Sequence, residues 1–199
     1  GRIKHFISKT ALDIDGFGEK LVDQLVEKNL IQTVDDIFKL TFDDLENLNR
    51  MAEKSAQNIL SAITSAKHTT FARFVYALGI RNVGVHLAKV LEQSFNGNID
   101  EFIRTDLDKL ESIDEVGPIV AETIIKFWAD SSNVDIIKSC LSLGVQLAPV
   151  LGPKSKKFSG KTFVFTGALT HFNRNEAKAM VEAHWGRASG SISNKTDYL

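Results

Sequence analysis

Along residues 1–148 the apolar side chains recur at helical spacing, and nothing alternates in the two-residue rhythm of a half-buried strand. The spacing predicts helices over residues 2–9, 34–40, 42–48, 53–66, 71–78, 100–103, 106–113 and 118–129, with Thr41 and Asp44 as a capping pair and Pro118 in a first turn, where proline is tolerated. Asn133 is expected to cap a last helix that Gly144 stops. From Ala148 the texture changes. Residues 149–157 hold Pro149, Gly152, Pro153 and three lysines, a linker by composition. Residues 161–167 then read as a buried strand ending in a tight turn. A helix capped by Asn173 follows, with Ala177, Met180, Val181 and Trp185 on its packing face, and residues 187–189 and 197–199 read as further strands. The expected division is a mainly α domain over 1–148, a linker over 149–157, and an incomplete α/β unit over 158–199.

The helical part repeats. Gly16-Phe17-Gly18 is answered by Arg50-Met51-Ala52, Asn82-Val83-Gly84 and Glu115-Val116-Gly117, at offsets of 34, 32 and 33 residues. An apolar residue precedes each copy (Ile14, Leu48, Ile80, Ile113), and an amphipathic helix follows. Glycine there permits a tight bend and a close approach by another backbone. The first unpaired N–H groups of the following helix make a seat for phosphate. Four such bends read as tandem helix-hairpin-helix motifs that grip nucleic-acid backbone. The copy Arg50-Met51-Ala52 has neither glycine. It must turn with less permissive residues or by another turn, and is expected to hold phosphate least well; compensation by the charge of Arg50 and Lys54 stays open, and so, equally, does a purely structural connector.

Charge qualifies this picture. The net charge of −1 divides into −6 over residues 1–150 and +5 over residues 151–199. A nucleic-acid binder usually shows a basic surface, so the acidic helical part counts against the reading unless several sets of amides act together. No apolar run is long enough to cross a bilayer, and no signal peptide opens the chain. A single cysteine, Cys140, excludes an internal disulfide and fits a reducing cytoplasm; with five scattered histidines it makes no zinc site. Cys140 and Trp128 are expected in the core. The start at Gly1, without methionine, reads as a piece of something longer.

Three strings carry a family resemblance: His5-Phe6-Ile7-Ser8-Lys9 with Leu12-Asp13-Ile14-Asp15-Gly16-Phe17-Gly18; Lys54-Ser55-Ala56-Gln57-Asn58-Ile59-Leu60; and Ala77-Leu78-Gly79-Ile80-Arg81-Asn82-Val83-Gly84. With the fourfold repeat and the strand, helix and strand after residue 157, the chain resembles the carboxy-terminal part of bacterial NAD-dependent DNA ligase. The resemblance implies four helix-hairpin-helix motifs followed by a partial BRCT domain. It further implies a parent enzyme that uses NAD, Mg and a structural Zn module, all served by upstream domains. This part would bind no cofactor and no metal, and would hold no catalytic residue.

Its implied task is to hold nicked double-stranded DNA. The amides of Phe17, Gly18, Val83, Gly84, Val116 and Gly117 are expected to grip phosphates, with Lys20, Lys54, Arg81 and Lys89 as side-chain partners. Asp15, Glu19 and Glu115 must then turn away from the duplex. In the BRCT-like part Thr166 and Gly167 match a turn that binds phosphate in some members of that fold, although a plain structural turn is the stronger reading. The expected context is a monomer working with upstream ligase domains in a bacterial cytoplasm, near the nucleoid, without a membrane. Two other readings stay open: the DNA-binding tail of a repair nuclease, and an acidic protein-interaction scaffold without DNA contact.

Overall fold

The computed structural model describes residues 1–150 and 157–199, so most of the expected linker lies outside the described residues. The chain forms two compact units, Gly1–Leu147 and Ala148–Leu199.

The first unit is built from α1 (Arg2–Ile7), α2 (Glu19–Glu27), a 3-10 turn (Val34–Lys39), α3 (Phe42–Glu46), α4 (Glu53–Ala66), β1 (His68–Thr69), α5 (Phe71–Ala77), α6 (Val85–Ser94), α7 (Ile99–Ile103), α8 (Leu107–Glu111), α9 (Pro118–Ala129), α10 (Ser131–Ser142) and β2 (Gln146–Leu147). The helical spacing is realised because each run buries one face in a continuous core that includes Phe6, Leu25, Ile37, Leu45, Phe74, Leu91, Phe102 and Ile124. Ring contacts thread this core: Phe6 meets Phe38 and Phe74 edge-on, and Phe102 meets Phe71, Phe95 and Trp128.

Helix α1 joins the early and late parts of the unit. Arg2 donates from Nε to the Leu78 carbonyl (3.3 Å) and from Nη2 to Asn133 Oδ1 (2.9 Å). The His5 ring lies 2.7 Å from the Tyr76 carbonyl oxygen. In return, Arg73 of α5 donates to the carbonyls of Ala11 and Lys9.

Two expectations need correction here. Asn133 is not a cap: Asp130 caps α10 by accepting from the Ser132 amide (3.0 Å). Asn133 lies inside the helix, buried, donating to the Phe127 carbonyl while accepting from Arg2. A buried amide with both ends satisfied looks like a cap in sequence, because the same side-chain groups serve either role. The helical part also contains strand. β1 and β2 pair in parallel, His68 opposite Gln146 and Thr69 opposite Leu147, and two residues apiece are too few to show alternation.

Cys140 is fully buried, and burial together with the Asp35 charge pushes its thiol up to about 12. It is a core residue. Trp128 is buried as expected.

The second unit contains β3 (Thr162–Val164), α11 (Arg174–Ala183) and β4 (Arg187–Ser189). β3 and β4 pair in parallel, and Tyr198 makes one further parallel bridge to Phe163. Asn173 caps α11 in a box with Glu176. Ala177, Val181 and His184 are buried, and Phe158 lies against Phe163 and His184. Trp185 departs from its expected packing role and is 61% exposed. The helix ends before it, and its backbone is left-handed (φ 69), so helical spacing no longer places it on the buried face. Gly186 follows because a Cβ there would stand 2.6 Å from Val181 Cγ1 and 2.9 Å from Phe158 Cβ.

Candidate nucleic-acid interface

The four repeats adopt one turn. In each, the amide of the fourth residue donates to the carbonyl of the first: Phe17 to Ile14 (3.4 Å), Met51 to Leu48 (3.3 Å), Val83 to Ile80 (3.1 Å) and Val116 to Ile113 (3.1 Å). The third residue is left-handed in every copy: Gly16 (φ 79), Arg50 (φ 60), Asn82 (φ 68) and Glu115 (φ 72). The first residue is buried in every copy. The fourth is buried in three and partly buried at Met51, while the third residue is exposed. The apolar pair three residues apart therefore anchors the hairpin, and its tip stays in solvent. The copy without glycine uses the same turn as the others and differs only in what occupies it.

This geometry divides the expected amides into two groups. Those of Phe17, Val83 and Val116 close the turns, and their side chains serve the core. The helices begin one residue later, at Gly18, Ala52, Gly84 and Gly117. Their first closing bonds come from Val22 to Gly18 (3.2 Å), Ala56 to Ala52 (3.0 Å), Ala88 to Gly84 (3.0 Å) and Ala121 to Gly117 (3.0 Å). Amides earlier in each first turn have no carbonyl partner within the helix. The available donors are those of Gly18, Gly84 and Gly117 and of residues just after them, such as Glu19, Lys20, Val85, His86 and Ile119. Pro118 supplies none. The sequence carried a signal for this shift, because an apolar pair at i and i+3 marks the i+3 amide as the one that closes the turn.

None of these four helices has a side-chain cap. Gly18, Gly84 and Gly117 are extended (φ −76, −87 and −82), a conformation any residue adopts. A Cβ added to any of them would meet nothing within 4 Å. Neither backbone nor packing within the fold demands glycine there. Gly16 is the contrasting case: its φ is positive and a Cβ would lie 3.4 Å from Ile59 Cγ1 of α4.

Lys20 and Lys54 are the third residues of their helix starts, Arg81 lies in the third hairpin, and Lys89 is in the second turn of α6; all four are exposed. Two of the awkward acids have partners within the fold. Glu19 lies 3.9 Å from Lys4 Nζ, and Glu115 Oε1 lies 2.9 Å from His86 Nε2, linking the third and fourth hairpins. Asp15 remains exposed in the first hairpin. The excess of acid also has a local address. Asp35, Asp36, Asp43, Asp44, Asp100, Glu101 and Asp108 occupy first turns of the connecting elements, where the helix dipole favours them. The first turns of α6 and α9 contain no acid.

Thr166 and Gly167 sit in an exposed turn after β3, with Gly167 left-handed (φ 75). Among the described residues no group of three His, Cys, Asp or Glu side chains is placed to hold a metal ion, and no helix is long and apolar enough to cross a membrane.

Comparison with known proteins adds three family matches. Residues 8–64 match a SAM-like helix-hairpin-helix tandem, residues 73–137 a helix-hairpin-helix motif, and residues 153–199 the BRCA1 C Terminus (BRCT) domain. The first match spans the first two hairpins and the second spans the other two. Over 99% of its length the chain is 44% identical to a DNA ligase of Syntrophus aciditrophicus (strain SB), of which it spans 29%. These findings identify it as a relative of the carboxy-terminal part of a DNA ligase, with helix-hairpin-helix motifs followed by a BRCT segment.

Proposed function

We propose that this relative of DNA ligase holds double-stranded DNA by its phosphates around a nick, as the DNA-gripping portion of an NAD-dependent enzyme that joins strands in replication and repair. The observation that carries the proposal is the set of three extended glycines, each opening an uncapped helix and each with free space where a side chain would stand. Phosphate oxygen accepts from such amides, and a missing Cβ lets it come close. Contacts of this kind position a duplex without reading its bases. Lys20, Lys54, Arg81 and Lys89 add charge beside them.

Nucleotidyl transfer would belong to other domains of the enzyme, which would work in the bacterial cytoplasm; this chain's residues bind and orient. Adenylation from NAD, magnesium assistance and the zinc module would belong to those upstream parts. Thr166 and Gly167 would form at most a secondary phosphate turn, with a plain structural turn the stronger reading. The ligase relative and the second tandem of hairpins favour this reading over a nuclease tail.

The test is titration of the chain onto nicked duplex, intact duplex and single strand at two salt concentrations. Duplex is expected to bind more tightly than single strand, irrespective of base sequence. Affinity should fall with salt less steeply than for a lysine-dominated binder, because uncharged amides neutralise no phosphate and so release no counterion condensed on the duplex. Absence of duplex binding at low salt overturns the proposal in favour of a protein scaffold.

A further inference from the structure

Three hairpins place an ordinary side chain where the turn demands a left-handed residue, and each choice has to be explained. Asn82 adopts that conformation with little cost. Glu115 is used within the fold, its carboxylate meeting His86 of the neighbouring hairpin at 2.9 Å. Arg50 has neither justification. It is exposed with φ 60, and its side chain makes no hydrogen bond or ion pair among the described residues. Glycine, which the first hairpin uses at this position, would relieve the strain. The same hairpin also departs at its helix start. Ala52 puts a methyl group where the other three have open space, and Lys54 stands exposed two residues on. The acid nearest in sequence, Glu53, accepts from Gln57 on its own helix at 3.5 Å.

We propose that the second hairpin holds its phosphate through the side chains of Arg50 and Lys54 rather than through main-chain amides. The guanidinium fork takes a phosphate with two parallel hydrogen bonds and reaches past the methyl group that obstructs the amides. This rests on the duplex-binding reading above and adds to it a division of labour. The first, third and fourth hairpins bind largely with uncharged donors, and the salt dependence is concentrated in the second.

The experiment compares the 199-residue chain with Arg50→Gly, Arg50→Lys and Gly84→Asp, using fluorescence anisotropy on a labelled nicked duplex at about 50–200 mM salt, beside thermal melting. Arg50→Gly is expected to melt no lower than the parent. It should bind duplex roughly five- to tenfold more weakly, with a salt slope shallower by about one. Arg50→Lys should keep the slope and lose part of the affinity, because the charge remains without the fork. An Arg50→Gly variant with unchanged affinity and slope, while Gly84→Asp weakens binding, overturns this inference and leaves the duplex-binding reading standing. A lower melting temperature for Arg50→Gly also overturns it, by giving Arg50 an internal role. A parent chain that holds no duplex at low salt removes both.

Discussion

Helices that follow a hairpin and helices that connect hairpins treat their first turns in opposite ways. Thr41, Thr70, Asn98, Asp106 and Asp130 each accept from an amide of the helix they precede, so α3, α5, α7, α8 and α10 satisfy donors internally. α2, α4, α6 and α9 lie in the same unit and have no side-chain cap. One chain thus has the means to finish a helix start and withholds it at four equivalent places. A glycine N-cap gives up only a few tenths of a kcal/mol relative to a side-chain cap and an alanine about 1 kcal/mol, so the three glycine starts and Ala52 together forgo roughly 2 kcal/mol. The difference separates first turns that satisfy their donors internally from first turns that leave them open, and under the proposed function the open amides of α2, α6 and α9 serve phosphate.

The comparison breaks most sharply if a hairpin helix is given a cap. Gly84 has extended backbone and open space, so Gly84→Asp should fold, gaining a few tenths of a kcal/mol as a better N-cap. Its carboxylate would occupy the phosphate seat, and duplex affinity should fall on the order of tenfold or more by titration. A well-folded Gly84→Asp that binds as before would end the distinction. The converse change is Asp106→Ala, which removes a 2.8 Å cap from the Lys109 amide. It should cost about 1 kcal/mol in denaturant unfolding and leave duplex affinity unchanged.

A smaller effect is expected from Ala52→Gly, which gives the second hairpin the open space of the others. Affinity should tighten roughly twofold, a few tenths of a kcal/mol, with thermal stability little altered. The smallest effect concerns acid. Partial burial pushes the Asp36 carboxyl up, but hydrogen bonds from the Thr33 and Gln32 amides and from Lys39 outweigh it and hold it below the usual carboxylate value. With the folded value below the unfolded one, its stabilisation is complete above about pH 4 and is lost as pH falls through the lowered value. Asp36→Asn should flatten the acid limb of a stability–pH curve without altering duplex binding near neutrality.

Much of this was legible in sequence because helical burial and the repeat are written in side-chain type. Ile14, Leu48, Ile80 and Ile113 announced the hairpins, and the helices over 53–66 and 118–129 have their expected bounds. The amide register was not legible by eye, since Phe17, Val83 and Val116 adjoin the open helix starts while spending their own N–H on the turn. Contacts distant in sequence were also hidden: nothing local tells that Asn133 serves Arg2, or that His86 meets Glu115. Trp185 leaves the packing face because the helix ends at Ala183 and the helical period does not carry on to Trp185, whose own backbone is left-handed.

The short first helix has a further consequence. Arg2 and His5 reach carbonyls at Leu78 and Tyr76, Arg2 also reaches Asn133, and Lys4 pairs with Asp23 of α2 at 3.1 Å, so six residues at one end of the chain tie both tandems of hairpins together. Under the proposed function, the interval between the two tandems is therefore set like the jaws of a caliper, by a clamp that reaches the first hairpin's helix start through Lys4 and Glu19. Changes at Arg2 should alter which duplex lengths the unit can span before they alter how firmly any single phosphate is held.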